Sequence, residues 1–177
     1  RRLAELMGGE AGVQSTPGAG STFWFTAKLK KMERRKIEPP ADLPGEDAGT
    51  QLEQRHAGRH VLIVDDEPIN REVARMQLEA VGLVVEEAED GADAVTLAQE
   101  KTYAAIFMDM QMPNVNGLEA TQEIRQLPGY QGVPIIAMTA NALNEDRVRC
   151  FEAGMNDFLV KPLDPETLYA TLLRAWA

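Results

Sequence analysis

From residue 60 onward the apolar positions fall into short unbroken runs, each followed by a longer stretch in which they recur every three or four residues. "HVLIVDD" reads as a strand. "EPINREVARMQLEAVG" reads as a helix carrying Ile69, Val73, Met76 and Ala80 at steps of four, three and four along one face. "LVVEEAE", "YAAIFMD", "VPIIAMTA" and "DFLVKP" are further strands, and "GADAVTLAQEK", "NGLEATQEIRQL", "NEDRVRCFEAG" and "DPETLYATLLRAWA" further helices. Five strands alternating with five helices, the strands mostly apolar throughout, predict a parallel sheet covered on both faces. Right-handed crossovers then give an α/β, doubly wound fold with strand order 2-1-3-4-5.

The chain before residue 60 has a different texture. "RRLAELMGG" reads as the last turns of a helix stopped by two glycines, and "EAGVQSTPGAGSTFWFTAKL" alternates as two strands around a Pro-Gly-Ala-Gly turn. Phe23 and Phe25 are expected on one side and Trp24 on the other. A lone hairpin is marginal in water, so this orphan β-hairpin is expected to be a fragment of a larger domain. Residues 31–59, rich in Pro, Gly and charge and without apolar periodicity, read as a linker. The division expected is therefore 1–30, 31–59 and 60–177.

Composition narrows the classes. The chain has 177 residues, 44% apolar and 26% charged, which is a globular balance. No run approaches the roughly 18 apolar residues of a membrane span, and no signal peptide is evident at its start. One cysteine, Cys150, excludes an internal disulfide framework and a thiolate zinc cluster, which fits a reducing, cytoplasmic setting; its bland reading is a partly buried small residue on a helix. Charge is uneven: residues 1–59 carry 10 Lys and Arg against 8 Asp and Glu, whereas 60–177 carry 8 against 20, a net −12. So acidic a surface argues against nucleic acid or an anionic membrane as direct partner and suits a divalent cation or a basic protein face.

In a flavodoxin-like sheet of this order, ligands bind at the C-terminal ends of the strands, between the first and third. Asp65 and Asp66 end the first strand, Asp109 the third, Thr139 the fourth and Lys161 the fifth. Two like charges about 4 Å apart repel by roughly 4 kcal/mol at an effective dielectric near 20, so the three carboxylates call for a cation. Hard oxygen ligands select Mg²⁺ or Mn²⁺. Lys161 and Thr139 could then hold an incoming phosphoryl group. Singly, each residue has a bland reading: Asp66 a helix N-cap, Asp109 a turn former, Thr139 a strand residue, Lys161 a solvated charge, Phe158 core. Jointly, the coincidence on one rim favours a site.

With those residues in view, 60–177 resembles a response-regulator receiver domain. "VDDEPIN" matches its acidic pair, "MDMQMPNVNG" its phosphoacceptor loop, "AMTA" its switch hydroxyl and "DFLVKP" its Lys-Pro motif. The resemblance implies that Asp109 takes a phosphoryl group from a phosphohistidine on a histidine kinase or phosphotransfer partner. It further implies that Asp65, Asp66, Asp109 and the backbone carbonyl of Gln111 hold Mg²⁺ (or Mn²⁺), that Thr139 and Lys161 bind phosphoryl oxygens, and that Phe158 reports the state of Thr139. Gln111 and Asn141 would tune hydrolysis of the acyl phosphate, and Lys161-Pro162 is a candidate cis bond.

"LAELMGGEAGVQSTPGAGSTFWFTAKL" resembles the last helix and strand pair of the ATP-binding domain of histidine kinases, which implies a hybrid sensor kinase as parent, anchored in a membrane upstream or not. The boxes that grip ATP are missing here. His56 and His60 lack the surroundings of a phosphorylated kinase histidine and read as solvated linker and strand-edge residues. The hairpin is expected either to be mobile or to pair with another chain, as in a homodimer. Two other function classes compete with the phosphoacceptor module. An aspartate-nucleophile phosphohydrolase usually carries a general-acid Asp two positions on, where Gln111 stands. A pure interaction module usually lacks the nucleophile or the lysine, and both are present.

Overall fold

The computed structural model describes residues 8–16, 20–26, 28, 47–140 and 144–177. The chain divides into two units, 1–38 and 39–177. In the first, β1 (Ala11–Thr16) pairs antiparallel with β2 (Gly20–Phe25), with Gly12 opposite Trp24. A β-carbon on Gly12 would stand 2.5 Å from the Trp24 ring, so the indole lies directly on the glycine backbone. Val13, Trp24 and Phe25 are exposed. The helix and the turn expected around the hairpin lie outside the described residues.

The second unit follows the predicted alternation. After helix α1 (Ala48–His56) come β3 (His60–Val64), α2 (Pro68–Ala80), β4 (Val84–Ala88), α3 (Gly91–Glu100) and β5 (Ala105–Asp109). Helix α4 (Gly117–Gln126), β6 (Ile135–Thr139), α5 (Asn144–Ala153), β7 (Asp157–Val160) and α6 (Pro165–Ala175) complete it. All pairings are parallel and the order is β4-β3-β5-β6-β7, which is the expected 2-1-3-4-5.

Period-two alternation splits the strand side chains between two cores. Leu62, Val64, Ile106, Met108, Ile135 and Ala137 pack on one face under α3 and α4, with Ala94, Ala98, Ala120 and Ile124. Val61, Ile63, Phe107, Ile136 and Met138 pack on the other under α2 and α6, with Ala74, Leu78, Leu168 and Leu172.

Two expectations need correction. This unit has six described helices rather than five, because α1 forms within the stretch read as linker. Asp47 caps it by accepting from the Gly49 N–H at 2.6 Å, and Leu52 is fully buried in the core formed with Leu168 and Leu172. Leu52 is the one large apolar residue among these nine and gives no periodicity, yet it is the one that fills the gap. His56 is likewise not a solvated linker residue. Its ring leans on Trp176 at 4.8 Å between centroids, its Nδ1 is buried without a hydrogen-bond partner, and burial, with the charges of Arg59 and Arg55, holds its pKa below the ordinary histidine value. His60 is exposed at the start of β3, as expected.

Helix α2 turns its more apolar face to solvent. The face carrying Ile69, Val73 and Met76 is turned outward, with these residues 68%, 44% and 62% exposed, and the buried face is Arg71, Ala74 and Leu78. Both sets have helical spacing. The inner stripe is the less conspicuous of the two in the sequence because a charged residue, Arg71, heads it.

Candidate functional site

Strand β3 ends against β4, with the Asp65 N–H donating to the Ala88 carbonyl at 3.3 Å, and the chain then turns into α2. That turn leaves the Asp65 side chain buried, 1% exposed, and Asp66 exposed. Oδ1 of Asp65 accepts from the Glu67 N–H at 3.0 Å and from Asn70 Nδ2 at 3.3 Å. Asp66 does not cap α2: the cap position is Glu67, without a side-chain cap bond.

Asp109 closes β5, 6% exposed, and its Oδ1 accepts from the Gln111 N–H at 3.2 Å. The loop after it runs through Asn114, at φ 64°, to Asn116, which starts α4 with a reciprocal cap: Asn116 Oδ1 accepts from the Leu118 and Glu119 N–H groups, and Glu119 accepts from the Asn116 N–H. Asn and Gly suit those two demands, a left-handed residue and a tight helix start. Thr139 ends β6 and is buried, and its carbonyl accepts from the Lys161 N–H at 2.8 Å. Lys161 stands one residue past β7, and the Lys161-Pro162 bond is cis.

These ends converge. The Lys161 ammonium lies 2.5 Å from Asp65 Oδ2 and 2.7 Å from Asp109 Oδ2. Asp65, Asp66 and Asp109 each offer a carboxylate oxygen within 4.8 Å of the others. Three hard donors this close can share one divalent cation. Burial pushes the Asp109 carboxyl above the ordinary aspartate value, against the lowering effect of Lys161 and the Gln111 N–H. Burial pulls the Lys161 ammonium down, but its hydrogen bonds to Asp109 and Asp65 outweigh this and hold its pKa above the ordinary lysine value.

Beside the acids opens a groove of about 560 Å³, lined among others by Asp66, Gln111, Thr139, Asp146 and Arg149. Gln111 and Thr139 thus face the same space as Asp66. Phe158 is on β7, half-buried against the α3/α4 core, with the Arg147 guanidinium 4.4 Å from its ring centroid. Asn141 lies outside the described residues. Cys150 is buried, its Sγ 3.3 Å from Met110 Sδ, and burial pushes the thiol up; the bland reading of it holds. Sequence reasoning missed Asn70, Arg71, Asp146, Arg149 and Gly117. Only Arg71 left a signal, its place three and seven residues before Ala74 and Leu78.

The response regulator receiver domain family matches residues 61–173. The chain belongs to that family. The relation extends in front of the receiver domain. A sensor histidine kinase of Pseudomonas aeruginosa, AruS, is 38% identical over 97% of the chain, and a hybrid signal transduction histidine kinase of Dictyostelium discoideum 33% over 97%. The chain spans 16% and 14% of the length of these relatives. Among solved structures, the receiver domain of a sensor histidine kinase from Pseudomonas aeruginosa, with a magnesium ion coordinated in its active-site cleft, is 43% identical at a TM-score of 0.64 over 68% of this chain and all of that one. The chemotaxis protein CheY4 of Vibrio cholerae is 34% identical at a TM-score of 0.65, covering 67% of this chain and 99% of that one. The acidic cluster of this receiver domain can take a divalent metal, and no described helix is long and apolar enough to cross a membrane.

Proposed function

We propose that this receiver domain accepts a phosphoryl group on Asp109 from a phosphohistidine carried by a kinase or phosphotransfer partner. One observation carries the reading: three carboxylates and one ammonium meet where the strand order reverses, with Asp109 buried and bonded to Lys161. An Asp109 carboxylate oxygen attacks phosphorus as the nitrogen–phosphorus bond breaks, and the electron pair leaves on the partner's imidazole. Asp65, Asp66, Asp109 and the Gln111 carbonyl are the residues that would hold Mg²⁺, or Mn²⁺ in its place. When bound, that cation supplies charge neutralisation among the attacking, transferring and leaving groups.

Lys161 holds the Asp109 carboxylate in place before transfer, its second hand on Asp65. Afterwards Lys161 and Thr139 bind phosphoryl oxygens, and Thr139 with Phe158 carries the change of state outward. Gln111 in the groove, with Asn141, sets how fast water removes the group. A Gln rather than an Asp two residues after the nucleophile favours a slow acyl-phosphate clock over a phosphohydrolase.

The partner presents a helical surface. Ile69, Val73 and Met76 form an exposed apolar stripe on α2, starting three residues after Asp66, suited to a helix face docked beside the site. The parent is a hybrid sensor kinase, and the hairpin side chains Val13, Trp24 and Phe25 belong against the rest of its ATP-binding domain. Intact-mass measurement after treatment with Mg²⁺ and a small acyl phosphate tests the function. A base-labile phosphoryl adduct is expected on the wild type and none on Asp109→Asn; an unmodified wild type would sink the reading.

A further inference from the structure

Arg71 is the anomaly of α2. Arg71 sits on the inner face of the helix, 7% exposed, where a charge is costly to hold. Its carboxylate partners are only modestly engaged: Glu89 at 3.2 Å is a side chain 78% exposed, and Glu87 lies at 3.5 Å. The short contact goes to a neutral group instead, the backbone carbonyl of Asp65, which accepts from the guanidinium at 2.6 Å. That carbonyl belongs to the peptide joining Asp65 to Asp66. Because the peptide is planar, fixing its oxygen fixes the plane from which the Asp66 side chain departs.

The preceding residue completes the grip. Asn70 Nδ2, together with the Glu67 N–H, holds Oδ1 of Asp65 and leaves Oδ2 turned to Lys161. Two consecutive helix residues thus secure the side chain and the backbone of the same aspartate, and through its peptide the aim of the next.

We propose that Arg71 is a positioning residue for the cation site, acting through the Asp65–Asp66 peptide, with Asn70 assisting on the Asp65 carboxylate. This rests on the phosphoacceptor reading above. The sign of its effect separates positioning from charge. Deleting a cation near three carboxylates should, by Coulomb's law alone, tighten Mg²⁺ binding; loss of aim loosens it.

The test is a Mg²⁺ titration of the whole chain followed by backbone amide shifts of the residues around Asp109, with the half-saturating Mg²⁺ for modification by a small acyl phosphate measured alongside. Arg71→Met is expected to raise both concentrations about tenfold, as loss of a supporting partner of a metal ligand commonly does, while the rate at saturating Mg²⁺ stays within about twofold. Arg71→Lys retains charge and fold but lacks the planar fork, and is expected to weaken binding in the same direction, which keeps the proposal testable if the Met variant does not fold. Arg75→Met is the comparison: Arg75 pairs with Glu87 at 2.9 Å and Glu79 at 3.9 Å, and its two salt bridges leave the Asp65–Asp66 peptide alone. Unchanged or tighter Mg²⁺ binding in the folded Arg71 variants, or equal weakening by Arg75→Met, would overturn the proposal. A wild type that takes no Mg²⁺ at all would instead overturn the phosphoacceptor reading beneath it.

Discussion

A β-carbon on Gly117 would stand 2.0 Å from the carbonyl oxygen of Asp109. The first residue of α4 is therefore pressed against the backbone of the very residue that ends β5, and its N–H reaches the Met110 carbonyl at 3.4 Å. No side chain fits without driving the two apart. Gly117→Ala is expected to cost about 1–3 kcal/mol of stability, in the range of overpacked interiors, and to depress phosphoryl acceptance more than stability alone explains. Chemical denaturation and intact-mass measurement on the same preparation check both.

Asp109 should weaken the fold at neutral pH. Its carboxyl is raised above the ordinary value of 3.8, chiefly by burial. A raised acid contributes stability that is fully present below the unfolded value and is lost as pH rises through the folded one. Asp109→Asn, which stays uncharged throughout, is thus expected to melt higher than the wild type at pH 7 in chelator, with the difference shrinking toward pH 3. Melting curves across that window decide it; an advantage that grows on acidification contradicts the burial argument.

Lys161 is the counterion of the site without metal. Its pKa lies above the ordinary 10.5, so the stabilising effect of its pairs persists through neutral pH and fades only as pH rises past that value. Removing one partner of a buried ion pair typically costs about 3–5 kcal/mol. Lys161→Met is expected to lose stability of that order in chelator and to recover part of it in Mg²⁺, so that its metal-induced shift in Tm exceeds that of the wild type.

If the proposed partner docks on the α2 stripe, a change there is expected to separate two kinds of donor. Val73→Glu places a charge at the centre of Ile69, Val73 and Met76, on an exposed surface where the fold tolerates it. Transfer from a phosphohistidine protein is expected to fall about tenfold or more, as truncation of an interface anchor commonly gives, while modification by a small acyl phosphate is unchanged. Undiminished transfer from the phosphohistidine protein would place the stripe outside the partner's footprint.

The sheet was legible because most of its strands announced themselves as apolar runs, and each rim residue followed from where its run stopped. Asp65, Asp66, Asp109 and Lys161 meet as their positions implied. What escaped were residues whose work is done through backbone. Arg71 reads as an interruption in an apolar face until its hydrogen bond to the Asp65 carbonyl is seen. Gly117 reads as one residue of the helix "NGLEATQEIRQL" until the distance to Asp109 is known. Helix α1 escaped for a third reason: a single buried leucine between polar neighbours carries no period.

That leucine bears on where this receiver begins. The family match starts at residue 61, beyond Leu52, Gly49 against the Tyr169 ring, and the Gly58 N–H that donates to the Gly82 carbonyl at 2.7 Å. A recombinant piece begun at residue 61 would uncover Leu168 and Leu172 and strip His56 and Arg59 from Trp176. Sticky, poorly behaved samples would then be a matter of where the gene was cut, and starting expression at Asp47 restores the lid.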